Sequence, residues 1–303
     1  QAEGAATLED LREAGRRALG RDPELWSRMC DQIRPDDPAI LYLTSGATGE
    51  PKMALVAHQA LVANADMGPA VLKVGPQDST IAFLPSAHIT QRVVMELIAV
   101  RCGVPIWFSE SLTHLPQELR SIRPTVLVAP PRLWERVYKT IFTEIGKRSA
   151  FTRRVFHAAL DLGLKASELR REGKPIPRWM RYGLKIAERL VYRKLRERFG
   201  GRVGFAGAGA APLGADLARF YLAIGFPLHE GYGLTEGGVV VLNPLGRSKP
   251  GSIGKALPGF EIKVIKEDGT LAGPGEVGSM LVKGPTGTVY WKPLVQDQKL
   301  MKT

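Results

Sequence analysis

Apolar residues fall along this chain in two alternating patterns. Short β-branched or aromatic runs at 39–43, 79–84, 104–108, 125–128, 203–206 and 226–229 read as strands. Between them, longer stretches carry apolar residues at helical spacing: 8–19, 23–33, 58–72, 89–100, 115–122 and 213–224. Pro130 and Pro131 start a further helix that carries Trp134 and Tyr138. This alternation predicts an α/β fold, a mainly parallel sheet covered by helices on both faces. From Phe260 onward the period shortens to two, in 260–265 and 279–282, around turns at Asp268-Gly269 and Gly273-Pro274-Gly275. That predicts a small antiparallel β unit at the C-terminal end. The expected division is an α/β core over 1–258 and the antiparallel subdomain over 259–303.

One stretch interrupts the strand–helix rhythm. Leu184, Ala187, Val191 and Leu195 form an apolar helix stripe, with Leu190 beside them and Arg189, Arg193, Arg196 and Arg198 on the flanks. Leu160, Leu162 and Leu164 suggest a preceding helix, joined through 173–177. A helical pair is unusual between strands of a plain sheet, so 147–202 reads as an insertion. Net charge sharpens the point. The chain carries +12, and residues 147–202 hold 17 Lys or Arg against 5 Asp or Glu. The rest is balanced. Such a segment is either a pair of solvated helix faces or a face for an acidic partner.

Otherwise composition is that of a soluble globular protein, with no apolar run near the roughly 18–20 residues of a membrane span. Cys30 and Cys102 lack metal-ligand spacing, and the 5 histidines are scattered. A reduced, cytoplasmic setting is expected.

The candidate chemistry starts between two apolar runs. Thr44-Ser45-Gly46-Ala47-Thr48-Gly49-Glu50-Pro51-Lys52 follows 39–43, read as a short buried strand, and precedes 53–57. Glycines let backbone N–H groups turn toward an anion, hydroxyls add donors and the Lys adds charge, which together suit a polyphosphate. The alternative is a plain Gly/Ser turn between two strands. The P-loop of the NTPases does not fit, because Gly46 and Gly49 are too close and Lys52 is followed by Met53. A second constellation, Glu230-Gly231-Tyr232-Gly233-Leu234-Thr235-Glu236, sits where the last parallel strand ends, the usual ligand position in an open α/β sheet. There a Gly-Tyr-Gly turn would offer bare backbone and a flat ring, and Glu236 a hard oxygen for Mg²⁺.

Taken together, these stretches resemble the two hallmarks of the AMP-forming acyl-CoA synthetase (adenylate-forming) superfamily. The first departs from the family pattern at Ala47 and Met53. Other resemblances are the turn at Leu84-Pro85 with His88 and Arg92, the segment from Pro124 to Trp134, the loop 207–212, and Gly251-Ser252-Ile253-Gly254-Lys255. Pro131-Arg132-Leu133-Trp134-Glu135 and the basic insertion are most similar to the long-chain fatty acyl-CoA synthetases. The resemblance implies that Thr44, Ser45, Gly46, Thr48, Gly49 and Lys52 wrap the ATP β- and γ-phosphates. It implies that Gly209, Ala210, Glu230, Gly231, Tyr232 and Gly233 line the adenine. Thr235 would touch the phosphate at the reacting centre and Glu236 would hold Mg²⁺. Lys52, Thr235 and Glu236 are thus the expected catalytic set, and His88 and Gly207 lie toward the acyl substrate. His88 has a second reading, as the cap of the next helix.

The implied reaction joins a fatty acid to CoA through an acyl-adenylate, releasing pyrophosphate and then AMP. No nucleic-acid partner is expected, and the basic helices are candidates for peripheral contact with an anionic membrane. The family pattern continues with a Thr-Gly-Asp, a downstream Arg and a mobile C-terminal domain carrying a catalytic Lys. The chain therefore reads as the central part of a longer enzyme, expected to bind ATP weakly and adenylate poorly alone. Two alternatives stand beside this: a nucleotide-binding relative without turnover, and a Rossmann-type NAD-dependent oxidoreductase. The second takes Gly207-Ala208-Gly209 and Glu230 as a dinucleotide fingerprint, but Pro212 replaces its third glycine and Thr44–Lys52 stays unexplained.

Overall fold

The computed structural model describes residues 6–45, 51–234, 238–245 and 248–291. Two exposed helices open the chain, α1 (Leu8–Arg21) and α2 (Leu25–Gln32). α1 begins on a capping box in which the Thr7 hydroxyl accepts from Asp10 N while the Asp10 carboxylate accepts from Thr7 N.

The central layer is a seven-stranded sheet of order β4-β3-β5-β6-β7-β8-β9. Its strands are β3 (Thr80–Ala82), β4 (Ile106–Phe108), β5 (Val126–Ala129), β6 (Phe205–Ala208), β7 (Leu228–Leu234), β8 (Gly238–Leu242) and β9 (Lys255–Ala256). From β4 to β7 neighbours pair in parallel, and β7-β8-β9 are antiparallel. β3, β5 and β6 are buried along their whole length, as a sheet with helices on both faces requires. The helices between strands are α3 (His58–Leu72), a wide π-helical segment Thr90–Leu97 running into α4 (Ile98–Cys102), α5 (Leu115–Ile122), α6 (Pro131–Gly146) and α10 (Ala215–Ala223).

The basic segment folds as α7 (Ala150–Arg171) and a second helical run made of α8 (Arg178–Ala187), a π turn (Glu188–Tyr192), α9 (Arg193–Arg196) and a 3-10 turn (Glu197–Phe199). This pair is no appendage. Phe156, Leu160, Val191, Leu195 and Phe199 belong to the same core as Leu127 of β5 and Ala206 of β6. Trp134, fully buried, packs its ring 5.7, 5.5 and 5.8 Å from those of Phe199, Tyr221 and Phe226. Its indole N–H donates to Ala129 O at 3.1 Å, and Tyr221 Oη donates to Trp134 O at 2.8 Å. The stripe expected to be apolar is the inner face, with Ala187, Val191 and Leu195 buried and Leu184 partly so. Arg196 on its flank reaches Ile224 O at 2.7 Å and pairs with Glu188.

Two further sheets are formed among the described residues. β10 (Glu261–Ile265) and β11 (Ser279–Lys283) pair antiparallel, as the shortened period predicts. β1 (Pro38–Ser45), β2 (Pro51–Ala57) and β12 (Thr288–Trp291) form a separate antiparallel sheet of order β1-β2-β12. The expectation of a short buried strand at 39–43 is corrected here. β1 is one arm of a hairpin, its side chains alternate, and Tyr42 is buried while Leu41 and Leu43 are exposed. β12 crosses the boundary expected after residue 258, because its partner is β2.

Candidate functional site

A cavity of about 650 Å³ opens where the hairpin, α3, the 90–102 helix and the carboxyl ends of β6 and β7 meet. Hairpin geometry supplies its first wall. Register places Thr44 opposite Lys52 and Ser45 opposite Pro51. Lys52 lines the cavity from the start of β2. Met53, the departure from the family pattern, lies in the middle strand, in register with Leu43 on one side and Trp291 on the other. Gly46, Thr48 and Gly49 lie outside the described residues.

The strand ends form the opposite wall. Gly207, Gly209, Ala210, Gly231, Tyr232 and Gly233 all line the cavity. Ala210 holds a left-handed backbone, φ 69°, uncommon for a residue with a Cβ. The Gly-Tyr-Gly segment is not the expected turn. It is extended strand, because Gly231–Leu234 pairs with β8, with a bulge between Tyr232 and Gly233. Here glycine is needed for close approach: a Cβ on Gly233 would lie 2.4 Å from Gly238 O. β7 thus changes partner at this point, parallel to β6 through Glu230 and antiparallel to β8 from Gly231. Thr235 and Glu236 lie outside the described residues, so the expected metal ligand does too. Among the described residues no group of three or more His, Cys, Asp or Glu could hold a metal.

Glu230 takes a different place from the one expected. Neighbours on an extended strand face opposite ways. His229 and Gly231 line the cavity, while the buried Glu230 carboxylate accepts from Leu213 N at 2.9 Å and braces the loop after β6. Its carbonyl accepts from Asn243 N at 3.0 Å and from Asn243 Nδ2 at 3.2 Å. The dinucleotide alternative needed this carboxylate at a ribose.

Two cavity residues carried no expectation in the sequence. His229 stacks on Phe205, ring centroids 5.5 Å apart and nearly coplanar at 7°, and its Nδ1 lies 2.7 Å from Ser248 Oγ. Burial pulls its pKa down to about 4, so the imidazole is neutral at physiological pH. Asn64 of α3, also buried, donates from Nδ2 to Ala60 O at 3.0 Å and accepts from Val239 N at 3.3 Å. It lies against Gly238, whose φ of 65° and lack of Cβ allow the approach. An Asn inside a helix and a His inside a strand give no spacing signal, so pattern reading has nothing to seize on. The position of His229 two residues before Gly231 is the one available clue.

His88 stands at the rim, in the turn that precedes the π-helical segment. Its N–H donates to Pro85 O at 2.8 Å, and its Nδ1 accepts from Thr90 N at 3.2 Å. That is the capping arrangement, and the ring also lines the cavity. With Nδ1 accepting, the neutral ring carries its proton on Nε2. The turn is braced from below: Leu84 N donates to Gln91 Oε1 at 3.1 Å, and Glu96 accepts from Gln91, Ser86 and Arg92. Away from this polar end the cavity is apolar, walled by Met67 and Val71 of α3, Val93 and Ile98 of the facing helix, and Val128 below.

Lys52 on the hairpin arm faces the bare carboxyl ends of β6 and β7, where β7 changes partner, and this is the usual ligand position of an α/β sheet. The chain belongs to the AMP-binding enzyme family, whose sequence profile matches residues 4–291. It is similar to Long-chain-fatty-acid–CoA ligase FadD15 of Mycobacterium bovis, 36% identical over 95% of this chain and 46% of that protein. It is 33% identical to human Long-chain-fatty-acid–CoA ligase 1, over 83% of this chain and 35% of the relative. The chain thus spans less than half the length of these relatives. In fold it is similar to ATP-bound MatB from Rhodopseudomonas palustris, with a TM-score of 0.61 at 23% identity, covering 86% of this chain and 42% of the other.

Proposed function

We propose that this chain carries the nucleotide and acyl pockets of an ATP-dependent acid–CoA ligase acting on long-chain fatty acids. The observation that carries the proposal is the single cavity joining Lys52 and the strand ends of β6 and β7 to an apolar slot between α3 and the facing helix. A carboxylate must meet the α-phosphate where these halves adjoin. A fatty acid has one polar end and an apolar tail, which is the polarity of this cavity. The substrate class and the CoA acceptor are further supported by the names of the relatives.

In this reading Lys52 neutralises phosphate charge, with Thr44, Ser45, Gly46, Thr48 and Gly49 donating beside it. Gly209, Ala210, Gly231, Tyr232 and Gly233 present backbone and ring to the adenosine. His88, holding its proton on Nε2, donates to the acid's carboxylate and turns one oxygen toward phosphorus. That oxygen attacks, the phosphorus–pyrophosphate bond breaks, and the CoA thiol then displaces AMP at the acyl carbon. Thr235 and Glu236 retain their proposed roles at the reacting phosphate and as the Mg²⁺ ligand; when bound, that ion would offset charge on the phosphates. No protein nucleophile is required, since positioning and charge neutralisation do the chemistry.

Fatty-acid-dependent ATP–pyrophosphate exchange, measured on the intact protein containing this chain, tests the proposal. Lys52→Ala is expected to lower exchange by about 10²-fold, the usual loss for one charge-stabilising donor. Exchange that ignores fatty acid, or none with any carboxylic acid, would rule the function out. ATP binding without exchange would favour a relative that kept the pocket and lost turnover.

A further inference from the structure

The second basic helical run, 178–199, has three distinct rows of side chains. Its inner row, including Met180, Ala187, Val191 and Leu195, is buried. An outer row repeats the helical spacing with apolar residues: Trp179, Tyr182, Ile186 and Leu190 are 66%, 70%, 48% and 51% exposed. Steps of three and four positions put them on one face. Beside it, roughly a quarter turn round the helix, runs a row of Arg178, Arg181, Lys185 and Arg189. All four are exposed, and none has an ion-pair partner among the described residues. The acidic residues of the run are engaged elsewhere, Glu188 with Arg196 and Glu197 with Arg193. A merely solvated helix face accounts for the cations but leaves a Trp, a Tyr and two branched aliphatics in water beside them.

We infer that this outer face docks on the surface of an anionic bilayer, the cationic row meeting lipid phosphates and the Trp179-to-Leu190 row entering the headgroup–acyl boundary. A helix lying in the interface plane needs an aromatic and aliphatic strip edged by Arg or Lys, and this helix presents both on its free side. Charge complementarity selects the occupant: residues 147–202, which contain the helical pair, carry the chain's entire positive surplus. A second copy would bring two such faces together against like-charge repulsion. Among the described residues no helix is long and apolar enough to cross a membrane, and the proposed contact is lateral. The inference goes beyond the ligase reading and does not depend on turnover.

Flotation with vesicles of phosphatidylcholine alone, or with one-third phosphatidylglycerol, tests it in the absence of ATP, fatty acid and CoA. Binding is expected to be at least tenfold tighter to the anionic vesicles and to weaken with salt. Trp179→Ala/Ile186→Ser/Leu190→Ser is expected to weaken it about tenfold or more with an unchanged thermal midpoint, since all three side chains are about half exposed or more. Arg181→Gln/Lys185→Gln/Arg189→Gln is expected to abolish the preference for anionic lipid. Equal binding to both vesicles, parental binding by the apolar triple variant, or no vesicle binding would overturn the inference. So would concentration-dependent dimerisation that the apolar variant abolishes without any vesicle binding, because a second copy would then cover the face.

Discussion

Burial holds the His229 imidazole neutral between Phe205 and Ser248, and this links one residue to the stability of the whole chain. An unfolded His takes up its proton near pH 6.5, whereas the folded one does so only near 4. Above pH 6.5 both states are neutral and the residue adds no pH dependence. As pH falls through that window the unfolded state binds the proton first, so stability is lost with acidification. The loss approaches about 3 kcal/mol at the lower end, because each pH unit between the two titrations is worth about 1.4 kcal/mol. Urea unfolding of the parent and of His229→Gln between pH 7.5 and 5 should show a steeper decline in the parent. Parallel curves would mean that the ring is wetter than its surroundings imply. Asn64 and Tyr42 show the two fates of a buried polar group. Asn64 is satisfied through both of its amide atoms, while the Tyr42 hydroxyl has no hydrogen-bond partner among the described residues.

Among elements, β7 is where the chemistry of the site and the mechanics of the sheet coincide. Gly233→Ala drives a Cβ into the Gly238 carbonyl, and backbone cannot yield as a side-chain end can. A loss of about 1–3 kcal/mol is expected, read as a lower thermal midpoint. Gly15→Ala in exposed α1, where nothing lies within 4 Å of the new Cβ, is the control and should not destabilise. An unaltered midpoint for Gly233→Ala would show that β7 and β8 can move apart freely. The same strand marks the limit of what the sequence reveals. α3 and α5 span 58–72 and 115–122, the ranges read from the pattern, because their signals are local. β8 has no such reading: its valines follow a Gly pair, and what makes them a strand is the partner β7. Gly-Tyr-Gly reads as a turn by composition, and only the approach of β8 extends it. The turning of the Glu230 carboxylate away from the cavity has the same origin, since composition identifies a strand end but pleat parity depends on register.

At the scale of the molecule, the basic helices and the sheet share one core, which the charge surplus conceals. Sequence separates 147–202 as an insertion because its polar face is long and its period differs from the strands. Its buried face is invisible until Phe199 is seen against Trp134. Phe199→Ala should therefore cost about 3–5 kcal/mol of global stability and lower the urea midpoint of the whole chain in one transition. Separate melting of α7 to α9, followed by hydrogen exchange, would instead make the pair an independent module. β12 is hidden from sequence for a related reason: its partner β2 lies more than 200 positions away, and loop closure over that distance leaves no local trace.

The Asn64 link carries a lesson for redesign. Its amide is committed at both ends, to its own helix and to Val239 N. α3 therefore cannot slide or roll without releasing β8, and Met67 and Val71 of the same helix wall the apolar slot. Resizing that slot by moving the helix would disturb the strand that pairs with Gly231–Leu234. On the proposed ligase reading, tail-length selectivity is accordingly best altered by exchanging the bulk of Val71 or Val93 on a stationary backbone, leaving Asn64 untouched.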